Sequence, residues 1–201
     1  MSKVISTITI PLRKLASLKM VGLLFLLALI GRMFISGEPF GVAQLQKISG
    51  GTGIPDAELS GYSPQGVYDI LTAQGEAGRS FYLHTIIPQD FPFPLLYALL
   101  FATILTYLAQ RLFPPTHPLQ HIGLLGLLAG LADWAENLCL LTLLLNYPQR
   151  LDAVAMLANI FTIAKWSLAL LNFILILAGL GWLLVKSITA TNPTQAEGAN
   201  Q

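Results

Sequence analysis

Two acids and an amide, Asp133, Glu136 and Asn137, stand at i, i+3 and i+4 within a stretch, Leu119 to Asn146, otherwise built mainly from Leu, Ile, Ala and Gly. That spacing places all three on one face of a helix. A carboxylate in hydrocarbon costs about 2.5–3.5 kcal/mol on insertion scales, so an acid in such a place marks a candidate functional site. Two carboxylates can exchange protons, and Asp133 and Glu136 are the candidate catalytic acids. A matching cation comes from the next apolar stretch. Asp133 and Lys165 are equally far from Gln149 in the turn between the two stretches, so an antiparallel hairpin brings them level. Sixteen residues at 1.5 Å each put both about 24 Å below the turn.

Two readings of this centre stand side by side. One is an ion pair that neutralises two costly charges and fixes helix register. The other is an active or proton-accepting site, in which Glu136 is the functional acid because Asp133 takes the level cation. Gly126, Gly130, Asp133 and Asn137 share a face, with Gly123 close by, and Thr162, Lys165, Ala169, Asn172 and Gly179 form a comparable stripe. Small residues let membrane helices approach closely, so these two faces are expected to meet and the acids to point into a bundle.

A second group of candidate binding residues, Arg79, Tyr82, Asp90 and Tyr97, flanks the start of another apolar stretch, with His84 among them. Arg79 suits a lipid phosphate through its planar fork. It suits equally a spare carboxylate below it, or a place in an interfacial belt with Tyr82.

These residues need apolar elements to hold them, and the chain supplies them. Its 201 residues are 54% hydrophobic and 10% charged, with mean hydropathy +0.66. Soluble domains carry roughly 25% charged residues. The composition is that of an integral membrane protein. Spans are expected at about 15–35, 93–112, 119–146 and 151–185, the last longer than the ~20 residues a bilayer core requires. The fold class is therefore all-α, a four-helix transmembrane bundle. A cleaved signal peptide is the competing reading of the first span, but Arg32-Met33-Phe34 offers no small-residue cleavage site. Residues 37–64 are Gly-, Ser- and Pro-rich and read as exposed loop. Ser63-Pro64 opens an amphipathic helix, and Arg79 to Ile87 a second; together they are expected as an interfacial pair between spans 1 and 2, lying against the bilayer or capping the bundle rather than crossing it. Residues 1–14 and 187–201 read as cytoplasmic tails without structure.

Lys3, Arg13, Lys14, Lys19, Arg111 and Lys186 flank one side; Arg32, Lys47, Arg79 and Arg150 flank the other. The positive-inside rule therefore places both termini in the cytoplasm. Net charge +1 says nothing about nucleic acid, and no basic patch or aromatic-basic interleaving supports that partner. Cys139 has no partner in the sequence for a disulfide, and neither zinc spacing nor a hydrolase, P-loop or redox motif occurs. No metal or cofactor is implied.

Gly78-Arg79-x-x-Tyr82, Asp90-x-x-x-Pro94-x-x-Tyr97 and Asp133-x-x-Glu136-Asn137 together resemble a group of bacterial four-span membrane proteins of unassigned function, over roughly residues 62 to 185. The resemblance implies the same four-helix architecture in a bacterial plasma or thylakoid-like membrane, and no activity. A weaker likeness is to the sterol-isomerase-like (EXPERA) four-span bundles, which also bury carboxylates. Their polar spacing differs from this chain's, and no catalytic role carries over. Three functions follow as alternatives. The first is a protein that binds a membrane lipid, a membrane protein partner or a second copy of itself. The second is a small enzyme acting on a lipid or isoprenoid by acid/base chemistry. The third is an oligomeric proton-coupled carrier. A cavity open beside Glu136 would favour the enzyme, and a tight, dry bundle the first.

Overall fold

The structure, a computed structural model, describes residues 3–191, and those residues are helical with no strand. Helix α1 (Lys3–Leu15) is followed by α2 (Leu18–Ser36), α3 (Val42–Ile48), α4 (Pro64–Ala73), α5 (Gly75–Phe81), α6 (Ile87–Asp90), α7 (Phe93–Leu112), α8 (Leu124–Asn146) and α9 (Asp152–Thr191). Four stretches are long and apolar enough to cross a membrane: Leu18–Ser36, Gly75–Leu112, Pro118–Asn146 and Asp152–Thr189. This is the architecture of a multi-pass membrane protein. Helices α7, α8 and α9 form the tight part of the bundle, and α2 packs along α7.

Local chemistry sets the element ends. Ser17 caps α2 by accepting from the Met20 amide at 3.3 Å, and Ser63 caps α4 by accepting from Gly66 at 3.0 Å. Pro64 occupies the first helical position of α4, where a missing donor is harmless. Tyr68 on α4 closes the α8–α9 turn: its hydroxyl donates to the Gln149 carbonyl at 3.2 Å and accepts from the Leu151 amide at 2.6 Å. At the other end of the span, Gln120 donates to the Ala109 and Phe113 carbonyls, each at 3.0 Å, and so stitches the α7–α8 connection.

Several expectations change. The amino-terminal tail is not structureless: α1 buries Thr9 and Leu12, one turn apart, and lies along α7. Gln110 donates to the Arg13 carbonyl at 3.0 Å. At the carboxyl end, Ser187 to Thr191 continue α9, while the rest of that expected tail lies outside the described residues. The 37–64 segment is not simply an exposed loop. It contains α3, whose Leu45 is fully buried, and a short turn at Pro55–Ala57 behind the buried Ile54 and Pro55.

A separate pair of interfacial helices does not form. Helix α4 buries Val67, Tyr68 and Leu71 against the main core, and α5 runs through a wide turn at Tyr82–Ile86 and α6 into α7 as one stretch, Gly75–Leu112. The amphipathic stripe of α4 thus meets protein. Helix α9, at 40 residues, is about 60 Å long, twice the ~30 Å hydrocarbon core.

Candidate functional site

Asp133, Glu136 and Asn137 are all buried on one face of α8, as their spacing requires. The glycines on that face and the acids nevertheless serve different neighbours. A methyl group added at Gly126 would lie 2.5 Å from the Ala102 nitrogen, and one at Gly130 2.6 Å from Ala98 Cβ, so the glycine stripe packs on α7. Asn172 on α9 donates to the Leu125 carbonyl at 3.2 Å, and Thr162 donates to Glu136 Oε1 at 2.5 Å. The polar stripe of α9 therefore meets α8 beside the glycines.

Lys165 reaches the centre of the cluster. Its Nζ lies 3.4 Å from Asp133 Oδ1 and 2.6 Å from Glu136 Oε2, and it also pairs with Asp56. Placing Asp133 and Lys165 at equal depth is correct, but the premise that Glu136 lacks a cation is not. A lysine stem spans more than the 5.4 Å of one helical turn, so Lys165 reaches both acids and sits closer to Glu136. The carboxylates of Asp56, Asp133 and Glu136 lie within 4.8 Å of one another. That spacing suits a cation, and the Lys165 ammonium touches all three.

Asp56 is the residue the sequence reading missed. It enters from the strap between α3 and α4, anchored by Trp166, whose indole donates to the Asp56 carbonyl at 3.1 Å. The strap's far end is held where the Tyr62 amide donates to Asn159 Oδ1 at 2.7 Å. Gly61, at φ +81°, makes that approach in a left-handed conformation that a side chain disfavours. The Tyr62 hydroxyl sits 3.1 Å from Thr162 Oγ1, and burial holds its phenol well above the usual tyrosine range, so it remains protonated.

Asn137 and Trp134 do backbone work. Pro94 has no amide proton, so the Asp90 carbonyl four residues earlier has no helical donor. Asn137 supplies one at 3.1 Å, and Trp134 donates to the next carbonyl, Phe91, at 2.6 Å. Tyr97 donates to Asp133 Oδ2 at 2.8 Å, fixing that carboxylate from α7. Asp133 thus accepts from a neutral donor on one oxygen and a charged donor on the other.

A cavity of about 730 Å³ opens beside this centre. Its polar lining includes Arg32, Asp56, Asp90, Asp133 and Lys165, and its apolar walls include Phe93, Phe101 and Trp166. Glu136 is completely buried and does not line it. Arg79 and Tyr82 lie elsewhere. Tyr82 is buried in the core of the strap end. Arg79 donates to the Leu71 carbonyl at 2.8 Å and lies 4.0 Å over the Tyr147 ring, so it does not descend to the acids. It lines a second, shallower hollow with Ser80 and His84.

No family model, curated protein or solved structure matches the chain.

Proposed function

We propose that this protein binds a lipid-like amphiphile in the cleft between α2, α7 and α9, with the Lys165 cluster as the structural centre of the bundle. The cavity is the observation that carries this reading. Its volume falls in the ~300–1,000 Å³ range of small-molecule sites, and it combines mostly apolar walls with a few convergent charged groups. Asp90, Asp133, Tyr97 and Lys165 from the sequence-derived set line it, joined by Arg32 and Asp56.

Binding is favoured over acid/base catalysis by how the acids are engaged. Glu136 is sealed behind Lys165 and Thr162, and Asp133 is held by Lys165 and Tyr97. An acid acting on a ligand needs contact with it and freedom to exchange a proton. Glu136 has no contact with the cavity. The distribution of basic residues supports cytoplasmic termini, which would set the strap on the far side. A cysteine introduced at Ser49, with Cys139 removed, should react with an impermeant thiol reagent in intact cells; protection would reverse this orientation.

The reading is tested by native mass spectrometry of the full chain extracted in mild detergent. The wild type should carry a co-purifying lipid, and Ala169→Trp, which fills the cleft, should lose it. Equal lipid retention by the two proteins would remove the cleft as the binding site.

A further inference from the structure

The charges lining the cleft divide into those already satisfied and those not. Lys165 contacts Asp56, Asp133 and Glu136, so one cation is shared among three carboxylates. It is saturated and has no capacity for a ligand anion. Two charged groups on the cleft remain. Asp90 is 6% exposed and Arg32 stands at the more exposed rim; neither forms an ion pair among the described residues. Asn137 donates to the Asp90 main-chain carbonyl and lies within reach of its carboxylate, and Arg32 acts on that carboxylate from beyond ion-pair distance.

A buried carboxylate whose nearby cation stands beyond ion-pair distance remains costly, and a ligand cation relieves that cost. The guanidinium of Arg32 has the complementary need, with a geometry matched to phosphate. Ser36, one turn further on α2, lines the same cleft, and its Oγ is buried without a hydrogen-bond partner. Resting on the lipid-binding reading above, we infer that the cleft selects a zwitterionic headgroup, a phosphodiester held by Arg32 and Ser36 with its ammonium on Asp90. A simple anion would draw Arg32 from Asp90 and leave that carboxylate unrelieved, while a simple cation would leave the Arg32 guanidinium and the Ser36 hydroxyl without an acceptor. The polarity of the walls runs the same way. Phe101 lies eleven residues beyond Asp90, about 16 Å along the helical path, and with Ala169 it gives a chain apolar lining beyond the level of Tyr97 and Asp133.

The experiment is a competition. Purified full chain in detergent is stripped of lipid, then offered equal amounts of phosphatidylethanolamine, phosphatidylcholine, phosphatidylglycerol and a dialkyl trimethylammonium amphiphile, and read by native mass spectrometry. One or both zwitterionic lipids should be retained about tenfold over either singly charged amphiphile, the effect of one charge-assisted contact. The two zwitterionic arms report whether a primary or a quaternary ammonium is preferred. Asp90→Asn should bring the ethanolamine and glycerol lipids to near parity, while Arg32→Gln should weaken all three phospholipids and spare the cationic amphiphile. Equal or greater retention of phosphatidylglycerol by the wild type overturns the inference, and that arm needs no variant to fold. An unchanged preference in Asp90→Asn overturns it too. Retention abolished by Ala169→Trp but indifferent to headgroup charge leaves the cleft reading standing and removes only this inference. Retention indifferent to Ala169→Trp removes both.

Discussion

The two flanks of the bundle are packed by opposite means. Where α7, α8 and α9 meet, backbones come close and the buried charges are paired, although Asn137 Oδ1 and Asn172 Oδ1 are buried there without a hydrogen-bond partner. Ala98 and Ala102 lie against Gly130 and Gly126, and one lysine binds three carboxylates. On the α2 side the seal is less complete: Leu24, Ala28 and Ile35 are its buried residues, Gly31 packs on Phe93, and the cleft lies there. Lipid removes the hydrophobic drive for helix association, so close packing depends on small residues and polar contacts. Gly22 on α2 has nothing within 4 Å of an added methyl group. A bundle can thus hold costly charges and keep a binding volume when tight seams carry the charges and a loosely packed helix borders the volume.

The sharpest way to break the tight flank is Lys165→Met. Removing the shared cation strands two buried carboxylates and the half-buried Asp56 and should cost about 3–5 kcal/mol, read as a fall in the denaturation midpoint in detergent. Adding Glu136→Gln should recover more of that loss than adding Asp133→Asn, because the Glu136 contact is 2.6 Å and the Asp133 contact 3.4 Å. Greater recovery with Asp133→Asn would restore Asp133 as the main partner of Lys165.

A smaller loss should follow Gly126→Leu. The side chain would enter a seam whose backbone atoms already lie 2.5 Å and 2.9 Å from a methyl position. Overpacking of this kind costs about 1–3 kcal/mol or more, seen as lost monodispersity on size-exclusion chromatography. A monodisperse Gly126→Leu protein with an unchanged midpoint would mean the seam is looser than its geometry.

The smallest effect belongs to the open flank. Gly22→Ala meets no neighbour and should move the midpoint by under about 1 kcal/mol, in either direction. A loss as large as that of Gly126→Leu would show that α2 is packed against something beyond this chain.

How far the sequence revealed this depends on which physics applied. The spans were legible because their hydropathy is strong, and the depth of Lys165 was legible because a short turn fixes the register of two helices. Glu136 was misjudged because counting along the chain locates Cα atoms, while a lysine stem reaches past a turn. Asp56 was hidden by its setting. A Gly-rich segment reads as solvent-exposed, and the only sign otherwise was Ile54-Pro55, two apolar residues in need of cover. The role of Asn137 could have been found from Pro94, whose missing donor frees the Asp90 carbonyl. Arg79 was aimed at the acids by proximity in sequence, but the Tyr147 ring and the Leu71 carbonyl hold it elsewhere.

The contact between Asp56 and Lys165 has a consequence in time. Lys165 follows Asp56 by 165 − 56 = 109 residues. At about 5–20 residues per second, the ribosome needs roughly 5–20 s to make the cation that the strap closes upon. Until α9 is in place, Asp56, Asp133 and Glu136 have no lysine, and the strap has neither Trp166 nor Asn159 to hold it. Helix α9, the last of the described helices, is therefore the one that locks a segment made well before it. A nascent chain stalled after Asn146 should leave the strap open to added protease, and release of the full chain should close it.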